Sequence, residues 1–317
     1  MLAARVHRYG PPEVLSFDRL EAPAPGPGEA LIRVRAAALN PKDVIVRKGK
    51  FRWLTGRDGG RRFPLRVGQD FAGEVLATDG PDAVGTPVFG MLGGLRTFGA
   101  CATHVVAKHD WYAPRPEGLT DVEAAALPLA ALTALQALRD DGRLAAGHAL
   151  LVNGASGGVG VNAVQLGKAL GAHVTGVSSA RNRDLVSELG ADAHVDYAAQ
   201  ELRGLDARFD VIFDAYGNRS PQELAPILAP GGSYVTTVPS ARAALWQARS
   251  FAGGPRSRLV VVRSRRRDLL SVSDAVRAGS LRAVVDRVLP FRELPAAHAY
   301  LETRRARGKV VVTLPDP

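Results

Sequence analysis

Four glycines, Gly154, Gly157, Gly158 and Gly160, fall in the run VNGASGGVG, where the apolar residues Ala149, Leu150, Leu151 and Val152 give way to a helical spacing of Val161, Val164, Gln165, Leu166, Ala169 and Leu170. The order reads strand, tight turn, helix. Glycine tolerates positive φ and lets backbone N–H groups come close to a ligand, and the N-terminus of the following helix favours negative charge, so the turn suits a pyrophosphate. Gly171 and Ala172 end the helix and residues 173–177 form a second strand. That completes a βαβ unit, the context in which glycines at this spacing become a dinucleotide signature.

The end of the second strand selects the dinucleotide. An Asp or Glu about 20 residues beyond the glycines binds a ribose 2′-OH. Here the chain reads Ser178, Ser179, Ala180, Arg181, Asn182 and Arg183, with no carboxylate before Asp184. Hydroxyls and guanidinium groups suit a 2′-phosphate, which a carboxylate repels, so NADPH is the expected cofactor. The plainer alternative makes Arg181 and Arg183 solvated charges at a helix start, with Ser179 as its cap.

The elements that must position these residues follow from periodicity. Strands are expected over 193–197, 210–214, 233–237 and 259–262, with helices over 181–189 and 220–228, giving about six strands between residues 148 and 263. Apolar strands alternating with helices imply a doubly wound parallel α/β sheet. Just upstream, Thr120 caps a helix over 121–127, Pro128 interrupts it, and 130–138 continues it. Residues 1–120 read as β-rich, with short alternating runs over 3–7, 31–37 and 72–77 broken by Pro and Gly. Phe51, Trp53 and Leu54, beside the RDGGRR run, either line an apolar pocket or belong to the core. The tail reads as helix over 269–278, strand over 284–289, helix over 293–302 and strand over 309–314, the last rejoining the N-terminal β region. A cofactor domain, 121–264, is thus inserted into a catalytic domain made of 1–120 and 265–317, with the cleft between them as the default substrate site.

Bulk properties narrow the classes. A chain of 317 residues can build two cores. The net charge of +10 is spread along the chain apart from clusters over 263–267 and 304–307, which favours a solvated surface over a nucleic-acid partner. The N-terminus lacks the apolar core of a signal peptide, and no run of about 18 apolar residues suggests a membrane partner, so a cytoplasmic protein is expected. Cys101 is the single cysteine, which excludes an intrachain disulfide and a multi-cysteine zinc site. It reads as a small buried hydrophobe. His7, His104 and His109 offer no ligand spacing, and no metal is expected.

YGPPEVL, ALNPKDVIVRKG, GQDFAGEV, LPLAALTALQAL, VNGASGGVG, GADAHVDY, FDVIFDAYG, APGGSYV and RGKVVV occur in this order along the chain. In this the sequence resembles the zinc-independent medium-chain dehydrogenase/reductase superfamily, in its quinone oxidoreductase and enone reductase branch. The resemblance implies a Rossmann-type sheet inserted into a β-rich GroES-like catalytic domain. It also implies NADPH-dependent hydride transfer to quinones or to the C=C bond of α,β-unsaturated ketones and aldehydes. Zinc-bearing relatives carry cysteine where this chain has Asn40.

Carried over by position, the resemblance puts Asn40 and Thr133 on the nicotinamide side, and Gly154, Ala155, Ser156, Gly157, Gly158, Val159 and Gly160 around the pyrophosphate. Ser178, Ser179, Arg181 and Asn182 would surround the 2′-phosphate, with Tyr197 reaching the same region. Gly217 and Asn218 would lie near a ribose, and Lys309 would face the cofactor. Asn218 and Lys309 also read as ordinary turn and end-of-strand residues. Many relatives carry a tyrosine two residues after the Asp of the Asn-x-x-Asp segment, where this chain has Ile45. Lys42 or Asp43 then bears on the substrate oxygen, or water protonates the carbanion, and no single side chain is an essential acid. The family implies a homodimer paired through the last strand of the nucleotide sheet. Two other functions fit the same residues: an enoyl-thioester reductase, or a low-activity NADPH- or RNA-binding protein.

Overall fold

The computed structural model describes residues 1–50, 63–94, 99–239, 241–251 and 256–316. Phe51, Trp53, Leu54 and the RDGGRR run lie outside them. The chain forms two compact units, one of Met1–Leu129, Arg263–Arg277 and Ala283–Pro317, the other of Ala130–Val262 and Ala278–Arg282.

The first unit opens with β1 (Leu2–Val6), β2 (Leu15–Arg19), β3 (Glu29–Leu39), α1 (Pro41–Arg47), β4 (Leu65–Arg66), β5 (Asp70–Thr78), β6 (Pro87–Met91), β7 (His104–Lys108) and β8 (Tyr112–Pro114). β3 is its spine. Ala30, Ile32 and Val34 alternate inward, and from Ala36 to Leu39 every residue is buried, with β5 paired along one edge and later a C-terminal strand along the other, while β7 pairs with residues 29–33. Two helices follow, α2 (Asp121–Ala125) and α3 (Pro128–Gln136). Thr120 caps α2 as expected: its Oγ1 accepts the Glu123 N–H at 3.3 Å, and Glu123 accepts the Thr120 N–H at 2.9 Å. α2 packs on β3 and β5, which carries the first unit past residue 120 to Leu129.

The second unit contains β9 (Ala149–Asn153), α4 (Gly160–Ala169), β10 (His173–Ser178), α5 (Arg183–Glu188), β11 (Ala193–Asp196), β12 (Phe209–Asp214), α6 (Pro221–Leu224), β13 (Leu228–Thr236), α7 (Ala241–Phe251) and β14 (Arg256–Leu259). Among the described residues the strands form one parallel six-stranded sheet in the order β11-β10-β9-β12-β13-β14. The chain builds outward from β9 in one direction, then returns to build in the other, so the topological switch point lies between β9 and β12. The expected last strand, 259–262, is displaced. β14 pairs Ser233 to Thr236 with Arg256 to Leu259, and Val261 beyond it is 57% exposed. The ladder offered by β13 decided the register, not the apolarity of the LVVV run. The helix expected over 220–228 stops at Leu224 and continues as a 3-10 turn containing Pro226.

The chain then returns to the first unit with α8 (Arg266–Arg277), β15 (Val285–Pro290), α9 (Leu294–Glu302) and β16 (Lys309–Thr313). β16 pairs antiparallel with β3 and parallel with β15, so the final strand rejoins the N-terminal β region as its apolar pattern requires. Among the described residues no helix is long and apolar enough to cross a membrane.

α1 is tied to α9 by a buried polar network. Arg47 has no exposed surface, and its guanidinium donates to the Gly10 carbonyl, the Glu302 carboxylate and, at 3.4 Å, His298 Nδ1. Burial, with the neighbouring Arg47 charge, pushes the His298 pKa from 6.5 down to about 3. His298 is neutral in the fold but takes a proton in the unfolded chain below about pH 6.5, so acidification through that window favours unfolding. We expect the stability advantage of wild type over His298→Gln to shrink as pH falls from 7 to 4.5, with a slope approaching about 1.4 kcal/mol per pH unit in urea denaturation. A pH-independent difference would contradict the neutral buried ring.

Candidate active site

Asn40 stands at the N-terminus of α1, where Pro41 supplies a preset φ and has no N–H to leave unpaired. Asp43, one turn on, accepts the Asn40 N–H at 2.8 Å and the Gly68 N–H at 3.1 Å, one on each carboxylate oxygen. Its side chain is buried, and burial raises its pKa to about 6 although both N–H groups pull it down. Asp43 therefore braces the turn between α1 and β5. Lys42 is the half-buried neighbour. Its Nζ donates to Gln69 Oε1 at 3.0 Å, and Gln69 in turn donates through Nε2 to the Leu92 and Gly94 carbonyls, which settles its amide orientation.

Asn40's own amide is engaged elsewhere. Its Nδ2 donates to Asp70 Oδ2 at 2.9 Å, and its Oδ1 accepts from Lys309 Nζ at 2.6 Å. Lys309 Nζ also reaches Asp70 Oδ2 at 3.0 Å, while Asp70 Oδ1 accepts the Leu129 N–H at 2.8 Å. All three side chains are buried. Lys309, the first residue of β16, is thus a buried ion-pair partner and not a solvated charge. Sequence reasoning missed Asp70 and Gln69, yet a carboxylate at the head of the apolar run DFAGEV was a usable signal, since a buried charge needs a partner. Cys101 is fully buried, and its thiol is pushed well above the usual range by burial and by Asp43 and Asp70.

In the second unit the glycine turn follows β9 directly. Of its four glycines, Gly154 takes a left-handed φ of 84° and the other three do not. A Cβ on Gly160 would fall 2.1 Å from the Gly154 carbonyl, so this position needs the close approach that glycine permits. The N–H groups of Gly154 and Ala155 donate to the Val177 carbonyl, and that of Gly157 donates to the Gly154 carbonyl. These donors serve the turn itself. Among the described residues the N–H groups of Gly158, Val159 and Gly160, at the start of α4, meet no acceptor. A dinucleotide fits this turn, with those donors and the helix N-terminus to hold its pyrophosphate.

At the end of β10, Ser178 Oγ lies 2.8 Å from His194 Nε2, and Asn182 Nδ2 donates to Ser156 Oγ at 2.8 Å, which ties the residues after β10 to the glycine turn. Arg181 and Arg183 are exposed, as is Tyr197 at 55%. Burial and the Arg183 charge lower the His194 pKa. Thr133 is buried in α3. Gly217 and Asn218 follow β12, where the buried Asp214 accepts the Gly217 N–H at 2.8 Å and Asn153 links Asp214 to Asn218. Asn153, Asp214 and Tyr234 escaped the sequence reading.

The Lys309 pair sets a stability test. Asp70→Asn leaves a buried ammonium without its counter-charge, and we expect a loss of about 3–5 kcal/mol in urea denaturation. Pairing it with Lys309→Met should recover part of the loss, because the uncompensated charge is then gone.

A family model described as alcohol dehydrogenase GroES-like domain matches residues 26–117, and one described as zinc-binding dehydrogenase matches residues 189–312. The chain is similar to the mitochondrial NAD(P)H oxidoreductase RTN4IP1 of Mus musculus, 32% identical over 98% of this chain and 88% of that protein. It is likewise similar to the 2-methylene-furan-3-one reductase of Solanum lycopersicum, 31% identical over 96% of this chain and 76% of that one. Among solved structures, the quinone oxidoreductase from Coxiella burnetii matches with a TM-score of 0.90 at 30% identity, covering 99% of each chain. The donor set does not fit the metal in the second model's description: among the described residues no group of three or more His, Cys, Asp or Glu side chains could hold an ion. The Asn40 cluster already contains the ammonium of Lys309. The chain is a nicotinamide-dependent oxidoreductase of the medium-chain dehydrogenase/reductase superfamily, in its zinc-independent quinone oxidoreductase and enone reductase branch.

Proposed function

We propose that this protein is an NADPH-dependent reductase of quinones or α,β-unsaturated carbonyl compounds that works without zinc. The observation carrying the cofactor choice is the end of β10, where Ser178, Ser179, Arg181 and Arg183 stand with no carboxylate before Asp184. A 2′-phosphate dianion gains charge-assisted hydrogen bonds there, and a bare 2′-OH finds no carboxylate to accept its proton. The substrate class is supported by the relatives, one named for NAD(P)H oxidation and one for reduction of an enone.

NADPH held at Gly158, Val159 and Gly160 would supply a hydride for the β carbon of an enone or for a quinone. The chain's own part is to hold and orient. Gly158, Val159 and Gly160 offer N–H groups to the pyrophosphate, and the fully paired Asn40, Asp70 and Lys309 cluster keeps α1 rigid. Such acceptors are electrophilic enough that proximity and orientation provide much of the rate. With Asp43 committed to backbone N–H groups, the enolate left by hydride addition takes its proton from Lys42 or from water.

The decisive experiment is spectrophotometric oxidation of NADPH and of NADH with a quinone, an enone and an enoyl thioester. NADPH should be preferred, with turnover on the quinone or the enone. Turnover confined to the thioester, or a preference for NADH, would overturn the reading. Arg181→Glu should weaken NADPH binding about 10- to 100-fold, the worth of a charge-assisted hydrogen bond, and leave NADH binding nearly unchanged. Lys42→Ala should retain more than about a hundredth of wild-type kcat at unchanged NADPH affinity, whereas a loss near the about 10⁴-fold upper end for general acids would make Lys42 essential.

A further inference from the structure

Three arginines gather at the edge of the nucleotide sheet, where the dinucleotide reading gives them nothing to do. Arg256 and Arg258 stand two residues apart on the edge strand β14, so both side chains leave the same face of the sheet. Arg258 Nη1 donates to Ser250 Oγ at 2.8 Å and to the Ser257 carbonyl at 3.0 Å, which identifies that face as the one covered by α7. The register sets Arg256 level with Ser233 and Val211, three residues before Thr236 and Asp214 at the carboxyl ends of β13 and β12. Arg256 therefore lies about 10 Å behind the edge of the sheet from which the glycine turn departs.

The third arginine comes from the turn that follows α3. A π-helical turn over Ala137–Asp141 closes with the Gly142 N–H on the Ala137 carbonyl at 2.7 Å and the Leu144 N–H on the Leu138 carbonyl at 2.9 Å. Between those two bonds Arg143 takes a φ of 53°, the left-handed conformation that glycine usually supplies after a helix. A Cβ on Gly142 would fall 3.0 Å from Val211 Cγ1, so the turn rests on β12 at the level of Arg256. Like charge is thereby concentrated. Burial lowers the Arg256 pKa, the Arg143 and Arg258 charges lower it further, and among the described residues one carboxylate, Asp141, opposes them. The Nε of Arg256 is buried and meets no acceptor among the described residues.

We propose that Arg143, Arg256 and Arg258 form a binding site for a phosphate-class oxyanion, separate from the dinucleotide site. Three guanidinium groups suit a dianion with several oxygens better than a single carboxylate, because planar donor forks match those oxygens and the added negative charge cancels the mutual repulsion. Arg256 contributes the Nε–H that the fold leaves without an acceptor. Arg143 holds a backbone conformation that glycine would adopt more easily, and what glycine lacks is the charge. The site does not depend on the reductase reading.

Thermal melts and isothermal titration calorimetry with inorganic phosphate provide the test, at an ionic strength held constant with potassium chloride and with NADPH present or absent. We expect phosphate to raise the wild-type melting temperature under both conditions. Arg256→Gln should bind phosphate about tenfold more weakly, the worth of one charge-assisted hydrogen bond, and its NADPH affinity should match wild type. Arg143→Gly relaxes the left-handed backbone and removes a repelling charge, so it should melt at or above wild type without phosphate and lose most of the phosphate response. Equal phosphate shifts in wild type and Arg256→Gln would mark a general salt effect and overturn the inference. A loss of NADPH affinity in step with that of phosphate would overturn it by placing the cluster in the cofactor site. A wild type indifferent to phosphate would overturn it too, and a sedimenting dimer that Arg256→Gln breaks would then assign the cluster to carboxylates of a second copy.

Discussion

The ammonium of Lys309, held between Asn40 Oδ1 and Asp70 Oδ2, is the interaction on which the first unit depends. Removing a charge from water costs several kcal/mol, and the cost is met only when the counter-charge and further hydrogen bonds are all in place. Here they are, since Asp70 also accepts the Asn40 amide and the Leu129 N–H. Lys309 lies 269 residues beyond Asn40, so the pair requires the C-terminal strand β16 to return to β3. A discontinuous domain follows from that requirement.

The second unit meets the same constraint with different chemistry. Asp214 is as buried as Asp70, but among the described residues no cation answers it; two backbone N–H groups, an amide and a phenol do. Burial and the adjacent carboxylate push the Tyr234 pKa up, so the phenol stays protonated and remains a donor. Neutral donors converging on one carboxylate make a rigid frame of oriented dipoles, the kind of environment that need not reorganise when a ligand arrives. The two buried carboxylates hold the N-terminus of α1 and the turn after β12, and each unit's candidate ligand-facing residues stand on one of them.

This arrangement bears on the chemistry open to the protein. The Lys309 ammonium already takes a cation's place between the Asn40 and Asp70 oxygens, and it repels a second cation at close range in a low-dielectric setting. The reductase proposed above would then act on acceptors that are already electrophilic, such as an enone or a quinone. Its contribution is then orientation rather than Lewis-acid polarisation, which is consistent with the investment in fully paired polar clusters around α1 and the switch point.

What was legible in the sequence is what depends on neighbours in the chain. The strand, glycine turn and helix at Gly154 to Gly160 could be read because φ preferences and helix periodicity are local. The doubly wound sheet could be read because each strand and helix carries its own pattern, and the Thr120 cap because its partner Glu123 is three residues away. The tertiary structure alone decided the rest. It moved the last strand to Arg256–Leu259, because β13's ladder and not the apolar run chose the register. It turned Asp43 into a brace by placing Gly68 beside it. It joined Asn153 to Asp214 and Asn218 across more than sixty residues, and Asn40 to Lys309 across nearly the whole chain. Hydrogen-bond partners at such separations are selected by strand order and register. Those arise from the packing of all elements together and leave no periodicity in the sequence from which a partner could be named.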